Sequence, residues 1–233
     1  MTIKRMPATI GTITDLSPTA REVTLHLPEL LGFTPGAFVN VFMDHDGTRM
    51  RRAYSISSDE TAQDMIALSI RKGSVGGMSE RFWDTGVAEV PLQIMGPLGL
   101  NTADKITGTR VFLFAFGIGV SVIKGLLPHL LRRRDITHIT VMTGSRNEEE
   151  ALYKEFFEEA ARRDPRLTVT MVLSKPHDTA YPYKGHLQDA IGGIDFTDAS
   201  VYICGTKAAA ESLQTAITKK GQPVHQFLIE AFD

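Results

Sequence analysis

Two textures divide the chain. Up to residue 104, apolar and polar positions alternate in short runs, as in TITDLSPTAREVTLHL, AFVNVFM, MRRAYSIS and MIALSIRKG, with PG, DG and GG pairs between them. A period of two sends successive side chains to opposite faces of a strand, and the glycine and proline pairs supply turns. Residues 1–104 are therefore predicted to form an antiparallel β-barrel. From 105 to 233 strand-like runs alternate with helical ones: RVFLFAF, a helix from Val120 to Arg134, THITVMTG, a helix from Asn147 to Arg162, LTVTMVLS, a short helix near Leu187, SVYICG, a helix from Lys207 to Lys219, and HQFLIE. Parallel neighbours need helical crossovers, so this stretch predicts a Rossmann-like, doubly wound parallel sheet. The small and polar segment NTADKITGT marks the junction, and the fold class is β followed by α/β.

Composition narrows what such a chain can do. With 233 residues, 42% of them hydrophobic and 22% charged, it can bury a substantial core. Lys plus Arg (25) nearly balance Asp plus Glu (27), so no overall field draws the chain to nucleic acid or an anionic membrane. The amino terminus, MTIKRMPATIG, has no signal-like apolar region. The longest apolar run, Val111 to Ile123, is broken by glycine and too short to span a bilayer, so a cytoplasmic protein without membrane insertion is expected. The basic cluster Arg132, Arg133 and Arg134 reads as a solvated helix end, where cations suit the helix dipole, in preference to a partner patch. A single cysteine, Cys204, excludes an internal disulfide and any four-cysteine iron–sulfur or zinc site, and the seven histidines show no metal spacing, so no metal is expected. If this chain moves electrons, an organic cofactor carries them.

Two segments point to chemistry. RVFLFAF runs into Gly117-Ile118-Gly119 and then a helix, an arrangement in which glycines let a dinucleotide's diphosphate approach the backbone at a helix amino terminus, although the third glycine of the fingerprint is absent. In the first half, Arg52-Ala53-Tyr54-Ser55 lies on a predicted strand, with Arg52 and Tyr54 on one face and Ser55 on the other.

With that tetrapeptide the chain resembles the ferredoxin–NADP reductase superfamily, which joins a flavin-binding barrel to a nicotinamide-binding parallel sheet. The resemblance runs over nearly the whole sequence. Arg52 to Ser55 match the family's R-x-Y-S. Thr34 to Val39 precede it as P-G-Q-F-V does, with alanine for glutamine; Gly76-Gly77-Met78-Ser79 open MSERFW, similar to a short flavin-diphosphate helix; and Met95 to Gly99 resemble G-P-x-G. By this resemblance Arg52 pairs with the FAD diphosphate, as its guanidinium fork suits. Tyr54 packs on the flavin ring, Ser55 bonds near the reactive flavin nitrogen, and Gly76, Gly77, Met78 and Ser79 hold the diphosphate.

In the second half Ala115 to Val122 correspond to A-G-G-x-G-I-x-P, with Phe116 for a small residue and Val122 for the proline. A bulky Phe116 is expected to narrow the nicotinamide site. Thr143 to Arg146 resemble the family's G-x-R turn, with Arg146 either structural or a ligand. Ser174, Lys175, Lys184, His186 and Gln188 follow the plant-type pattern that surrounds the extra phosphate of NADPH, with lysine for arginine and histidine for tyrosine. NADP(H) is thus favoured, with NAD(H) open. Val201 to Gly205 match V-Y-x-C-G, and Ile229 to Asp233 match an E-x-aromatic ending, with Asp233 one residue beyond the plant-type terminus. The match implies that Cys204 and Gly205 flank the nicotinamide, Cys204 with no nucleophilic role. Glu230 anchors a proton network reaching Ser55, and Phe232 shields one flavin face and must shift for nicotinamide. The implied catalytic set is Ser55, Cys204 and Glu230.

The function this implies is an FAD-dependent NAD(P)H oxidoreductase passing electrons, through hydride transfer at flavin, to a one-electron acceptor such as ferredoxin, flavodoxin or an oxygenase component. Two alternatives stay open: a reductase of diffusible flavin, and a non-catalytic FAD-binding electron-transfer subunit.

Overall fold

A computed structural model describes residues 2–61 and 64–232. The first half builds six strands: β1 (Lys4–Ser17), β2 (Ala20–His26), β3 (Phe38–His45), β4 (Thr48–Ser55), β5 (Met65–Arg71) and β6 (Leu92–Leu98). They pair in the order β4-β3-β6-β1-β2-β5, every pairing antiparallel. An Ile56–Leu68 bridge and a 2.8 Å bond from Ser57 N–H to Ala67 O link the exit of β4 to β5 and draw the sheet into a barrel. The predicted DG turn is the β3–β4 hairpin: Asp46 and Gly47 both take positive φ, as a two-residue turn matching strand twist requires. The alternation has the expected consequence. Val23, Leu25, Val39, Val41, Ile56, Leu68, Ile70 and Ile94 point inward and are buried, each worth about 1.5–3 kcal/mol against exposure.

The second half builds five parallel strands, β7 (Arg110–Phe116), β8 (His138–Ser145), β9 (Leu167–Leu173), β10 (Ser200–Thr206) and β11 (Gln226–Phe232), in the order β11-β10-β7-β8-β9. The order in which successive strands are added reverses between β7 and β10, the switch point where ligands settle in such folds. Helices α2 (Val120–Arg132) and α3 (Lys154–Arg163) cover one face; α4 (Leu187–Ala190) and α5 (Lys207–Thr218) cover the other; α1 (Met78–Arg81) belongs to the barrel. No helix among the described residues is long and apolar enough to cross a membrane.

Two expectations need correction. The helix predicted from Asn147 to Arg162 is broken: Glu148–Glu150 form one 3₁₀ turn, Tyr153 takes a left-handed φ of 60°, and α3 starts at Lys154. The break carries the Tyr153 hydroxyl to Glu22 Oε2 (2.8 Å) and Ser69 Oγ (2.6 Å) in the barrel. The arginine cluster is also more than a solvated end. Arg132 forks onto Asp59 (2.8 and 3.2 Å) and reaches Glu60, which ties the end of α2 to the barrel, while Arg133 bonds Asp135 and Ile106 O within the second half.

Candidate functional site

Residues 52–55 occupy the last turn of pairing on β4, opposite Val41, Asn40, Val39 and Phe38 of β3. Arg51, Arg52 and Ala53 are exposed in succession, so neither face of β4 is covered here and the strand forms an open ledge. Arg52 makes no side-chain hydrogen bond or ion pair among the described residues, although its charge is felt at Tyr54. Tyr54 is fixed: its hydroxyl lies 2.8 Å from Ser79 Oγ, and its ring meets Phe82 edge-on at 6.1 Å. Burial pushes the Tyr54 hydroxyl up to about 12, the Ser79 bond and the Arg52 charge opposing, so it stays a neutral phenol. The Tyr54–Ser79 bond joins the two segments expected to hold flavin, 25 residues apart in sequence.

Before α1 the chain turns at Gly76, whose positive φ of 78° suits glycine and around which a Cβ would meet nothing within 4 Å. Gly77 is extended and caps α1, Met78 is buried in the barrel core so that only its backbone is free for a ligand, and the Gly76 N–H donates to Glu80 Oε2 at 2.7 Å. An exposed guanidinium, a pinned aromatic and an open glycine turn beside a hydroxyl make a donor set that fits the diphosphate and ring of FAD.

On the other side of the interface, β7 leads into the Gly117–Gly119 turn and α2. A Cβ on Gly119 would lie 2.6 Å from Cys204 O and 3.1 Å from its Sγ, so the turn can pack on β10 only as glycine. Cys204 is fully buried, and burial, helped by the nearby Glu230 carboxylate, holds its thiol well above the ordinary range, neutral and unsuited to attack. Glu230 lies in register opposite Cys204. Burial raises the Glu230 carboxyl, while Asn101 Nδ2, 3.3 Å from Oε2, pulls the other way. Asn101 also bonds Ile229 O and accepts from Tyr202.

These contacts form a ring through both halves of the molecule. Gly125 of α2 brings its backbone so near the barrel that a Cβ would sit 2.7 Å from Ile56 O; Gly36 does the same at Asn101 O (2.6 Å); and Ile56 N–H bonds Ala37 O (3.0 Å). Ser55, the Gly117–Gly119 turn, Cys204 and Glu230 are thus linked around one junction. Among the described residues no hydrogen bond joins Ser55 to Glu230. Phe232 ends β11 opposite Thr206, half-buried against the α2-side core, and Asp233 lies outside the described residues.

A cleft of about 480 Å³ opens over the carboxyl ends of β7, β8 and β9. Of the expected residues it takes in Gly117, Ser174, Lys175 and His186. Lys184 does not line it; this lysine is exposed, its backbone bridged to Leu173, and Gln188 turns its amide to Ser212 of α5 (2.9 Å). Arg146, which the sequence left between two roles, lines the cleft with a side chain free of hydrogen bonds and ion pairs among the described residues. Phe116 lines it as well. Glycines on both neighbouring strands make room for the ring: a Cβ on Gly205 would come within 2.8 Å of Phe116 Cβ, and one on Gly144 within 3.4 Å of Cδ1. Three lining residues have no signature in the sequence: Thr19, Arg71 and Glu150. Arg71 only ends an apolar run, and its partner Glu150 is 79 residues away.

Comparison with known proteins finds the same two kinds of domain in the same order. The oxidoreductase FAD-binding domain matches residues 7–102 and the oxidoreductase NAD-binding domain matches residues 113–215. The chain is 28% identical over 218 residues to the reductase component DmpP of phenol 2-monooxygenase from Pseudomonas sp. (strain CF600), covering 89% of this chain but 60% of that protein. It is 25% identical over 237 residues to ferredoxin–NADP reductase B of Sorangium cellulosum, covering 97% of each. Among solved structures, the Amycolatopsis cytochrome P450 reductase GcoB superposes with a TM-score of 0.87 at 23% identity, over 99% of this chain and 70% of that one, a likeness of fold.

Proposed function

Because the chain belongs to the ferredoxin–NADP reductase superfamily of FAD- and NAD(P)-binding oxidoreductases, we propose that it is an FAD-dependent reductase carrying electrons from NADPH, or NADH, to a separate one-electron acceptor. A ferredoxin, a flavodoxin or an oxygenase component is the partner in view, the chain spanning about 60% of the length of the oxygenase reductase component it matches. The observation that carries the reading is the ring of contacts that links the Arg52–Ser55 ledge to the Gly117–Gly119 turn, Cys204 and Glu230. Bound FAD supplies two-electron chemistry with a nicotinamide and one-electron chemistry with the acceptor.

The protein supplies position and charge. Arg52 offers an unpaired fork to a diphosphate. Tyr54, held by Ser79, presents a fixed aromatic ring to the flavin, with Gly76, Gly77, Met78 and Ser79 giving backbone and hydroxyl donors. Ser55 offers a hydroxyl at the junction. Glu230, raised by burial, is disposed to hold a proton there, and the neutral Cys204 packs without reacting. Phe232 is assigned the lid over the flavin face that nicotinamide takes. Residues 1–104 and 105–233 are the two binding domains in this proposal. A cytoplasmic location belongs to it too, supported by a lone, unpaired cysteine.

Anaerobic titration of the purified yellow protein with NADPH and NADH, followed at flavin wavelengths, tests the reading. Bleaching by either supports it. Protein that retains flavin and never bleaches is instead the non-catalytic subunit, the alternative favoured by the Phe116 ring in the cleft; colourless protein is a reductase of diffusible flavin. Lys175→Ala and Arg146→Ala are expected to weaken NADPH use more than NADH use, since the extra phosphate alone distinguishes the two. Lys184→Ala, outside the cleft, is expected to do less; equal losses of both cofactors in all three variants would place these cations elsewhere.

A further inference from the structure

One carboxylate gathers the two halves where their motifs come closest. Glu22 of β2 accepts through Oε2 from Lys124 Nζ of α2 at 2.7 Å, from the Tyr153 hydroxyl at 2.8 Å and from Ser57 Oγ at 3.3 Å. Ser69 Oγ stands 2.6 Å from the same Tyr153 hydroxyl, and the Lys124 ammonium lies over the Tyr153 ring, 4.8 Å from its centre. The set is sheltered. Lys124 and Glu22 are 18% and 23% exposed at their side chains, and burial, then the Glu22 charge, holds the Tyr153 phenol well above the ordinary range, so that it donates. Ser57 stands two residues past Ser55, and Lys124 five past Gly119. Beside them Gly125 admits the Ile56 carbonyl, where a Cβ would come within 2.7 Å, while Gly119 packs on Cys204 at the start of α2. A shift of α2 against the exit of β4 therefore moves the Gly117–Gly119 turn against the Arg52–Ser55 ledge.

We propose that Glu22 is a positioning residue for hydride transfer: by holding Lys124, Tyr153 and Ser57 on one carboxylate, it sets the separation between the nicotinamide ring and the flavin. This rests on the reading of the chain as a nicotinamide-dependent flavin reductase. In that step a hydride, with its two electrons, leaves the reduced nicotinamide and joins the flavin, giving oxidised nicotinamide and flavin reduced by two electrons. The reacting atoms must stand about 3–3.5 Å apart, and a misplacement of about 1 Å costs on the order of 10²-fold in rate. The contacts that bind each cofactor lie mostly within one half, and they survive such a shift. Glu22 thus governs rate more than affinity, and does so equally for NADPH and NADH, because it touches nothing that distinguishes them.

The test combines anaerobic stopped-flow reduction of the FAD-loaded chain, NADP⁺ affinity from flavin difference spectra, and backbone hydrogen exchange. Glu22→Gln keeps the side-chain shape and removes the charge. Reduction at saturating NADPH or NADH should slow about tenfold, short of the limit for a full 1 Å displacement, while the NADP⁺ dissociation constant changes by less than about twofold. Amides of residues 55–58 and 119–125 should exchange faster. Glu22→Asp, which keeps the charge, should recover part of the rate. Asp59→Asn loosens the other end of α2 and should leave the rate unchanged. If Glu22→Gln does not fold, Lys124→Gln cuts the same link from the helix side, and the same split between rate and affinity is expected. Wild-type protein that is reduced by nicotinamide while these Glu22 or Lys124 variants are reduced equally fast overturns the proposal and leaves the functional reading intact. Equal slowing in Asp59→Asn overturns it as well, because general loosening then accounts for the rate. A loss of NADP⁺ affinity as large as the loss of rate makes Glu22 part of binding and overturns positioning. Wild-type protein that retains flavin and is reduced by neither cofactor overturns the functional reading and this proposal with it.

Discussion

Glu230 is held in a place that costs the fold something. Its carboxyl is raised by burial against Cys204 and the end of β11, with one long bond from Asn101 in compensation. A carboxyl raised in the folded state contributes stability at pH below its unfolded value, and that contribution is lost as pH rises through the folded value. Ionised Glu230 is therefore a liability above the ordinary glutamate range, and Glu230→Gln should melt higher than wild type at about pH 8, the gap closing toward about pH 4, where both side chains are neutral. Thermal melts across that range check it; a pH-independent gap would mean that shape, not charge, sets the difference. The same substitution is expected to slow turnover with nicotinamide, because the amide cannot hold and release the proton assigned to it.

At the scale of elements, Tyr153 decides where α3 begins. A left-handed φ costs a non-glycine residue about 1–2 kcal/mol, and it is accepted because the hydroxyl reaches Glu22 and Ser69, while Lys124 closes on the same carboxylate at 2.7 Å. Removing the hydroxyl with Tyr153→Phe keeps the ring and leaves Ser69 without that partner, so a loss of about 1–3 kcal/mol is expected in denaturant titrations. No change would assign the break in the helix to the ring alone. The case also marks how far the sequence was legible. Strands and crossovers were, because alternation and apolar period are local; the α3 start was not, because its partners lie 131 and 84 residues away. The site divides in the same way. Arg52 to Ser55, Gly117 to Gly119 and Cys204 can be read from short motifs that fold as units. Arg71, Glu150 and Thr19 acquire their place only when the halves meet, and Lys184 keeps the right offset in sequence while its backbone bridge to Leu173 leaves it outside the cleft.

The whole molecule depends on how the barrel and the α/β layer are joined. Apolar contact supplies part of the joint, since Ala20 of β2 and Leu16 of β1 pack in the same cluster as α2. Three polar sets surround it: Glu22 with Lys124 and Tyr153, Glu150 with Arg71 and Thr19, and the acidic pair Asp59 and Glu60 with Arg132 and His129 at the far end of α2. The third responds to acid. Partial burial works against ionised Asp59, but the Arg132 fork and the Thr61 amide outweigh it and hold the carboxyl at about 2. A depressed carboxyl stabilises the fold above its unfolded value near 3.8, and this stabilisation is lost as pH falls toward about 2. Asp59→Asn should therefore lower the melting temperature at neutral pH, the difference from wild type closing as the solution is acidified through that window. Because Asp59 and Arg132 remain partly exposed, the neutral-pH difference should be small and should shrink in about 1 M salt, where the screening length falls to about 3 Å. A difference that persists undiminished in both acid and salt would show that Asp59 holds the end of α2 through shape and neutral hydrogen bonds, with its charge contributing nothing to the joint.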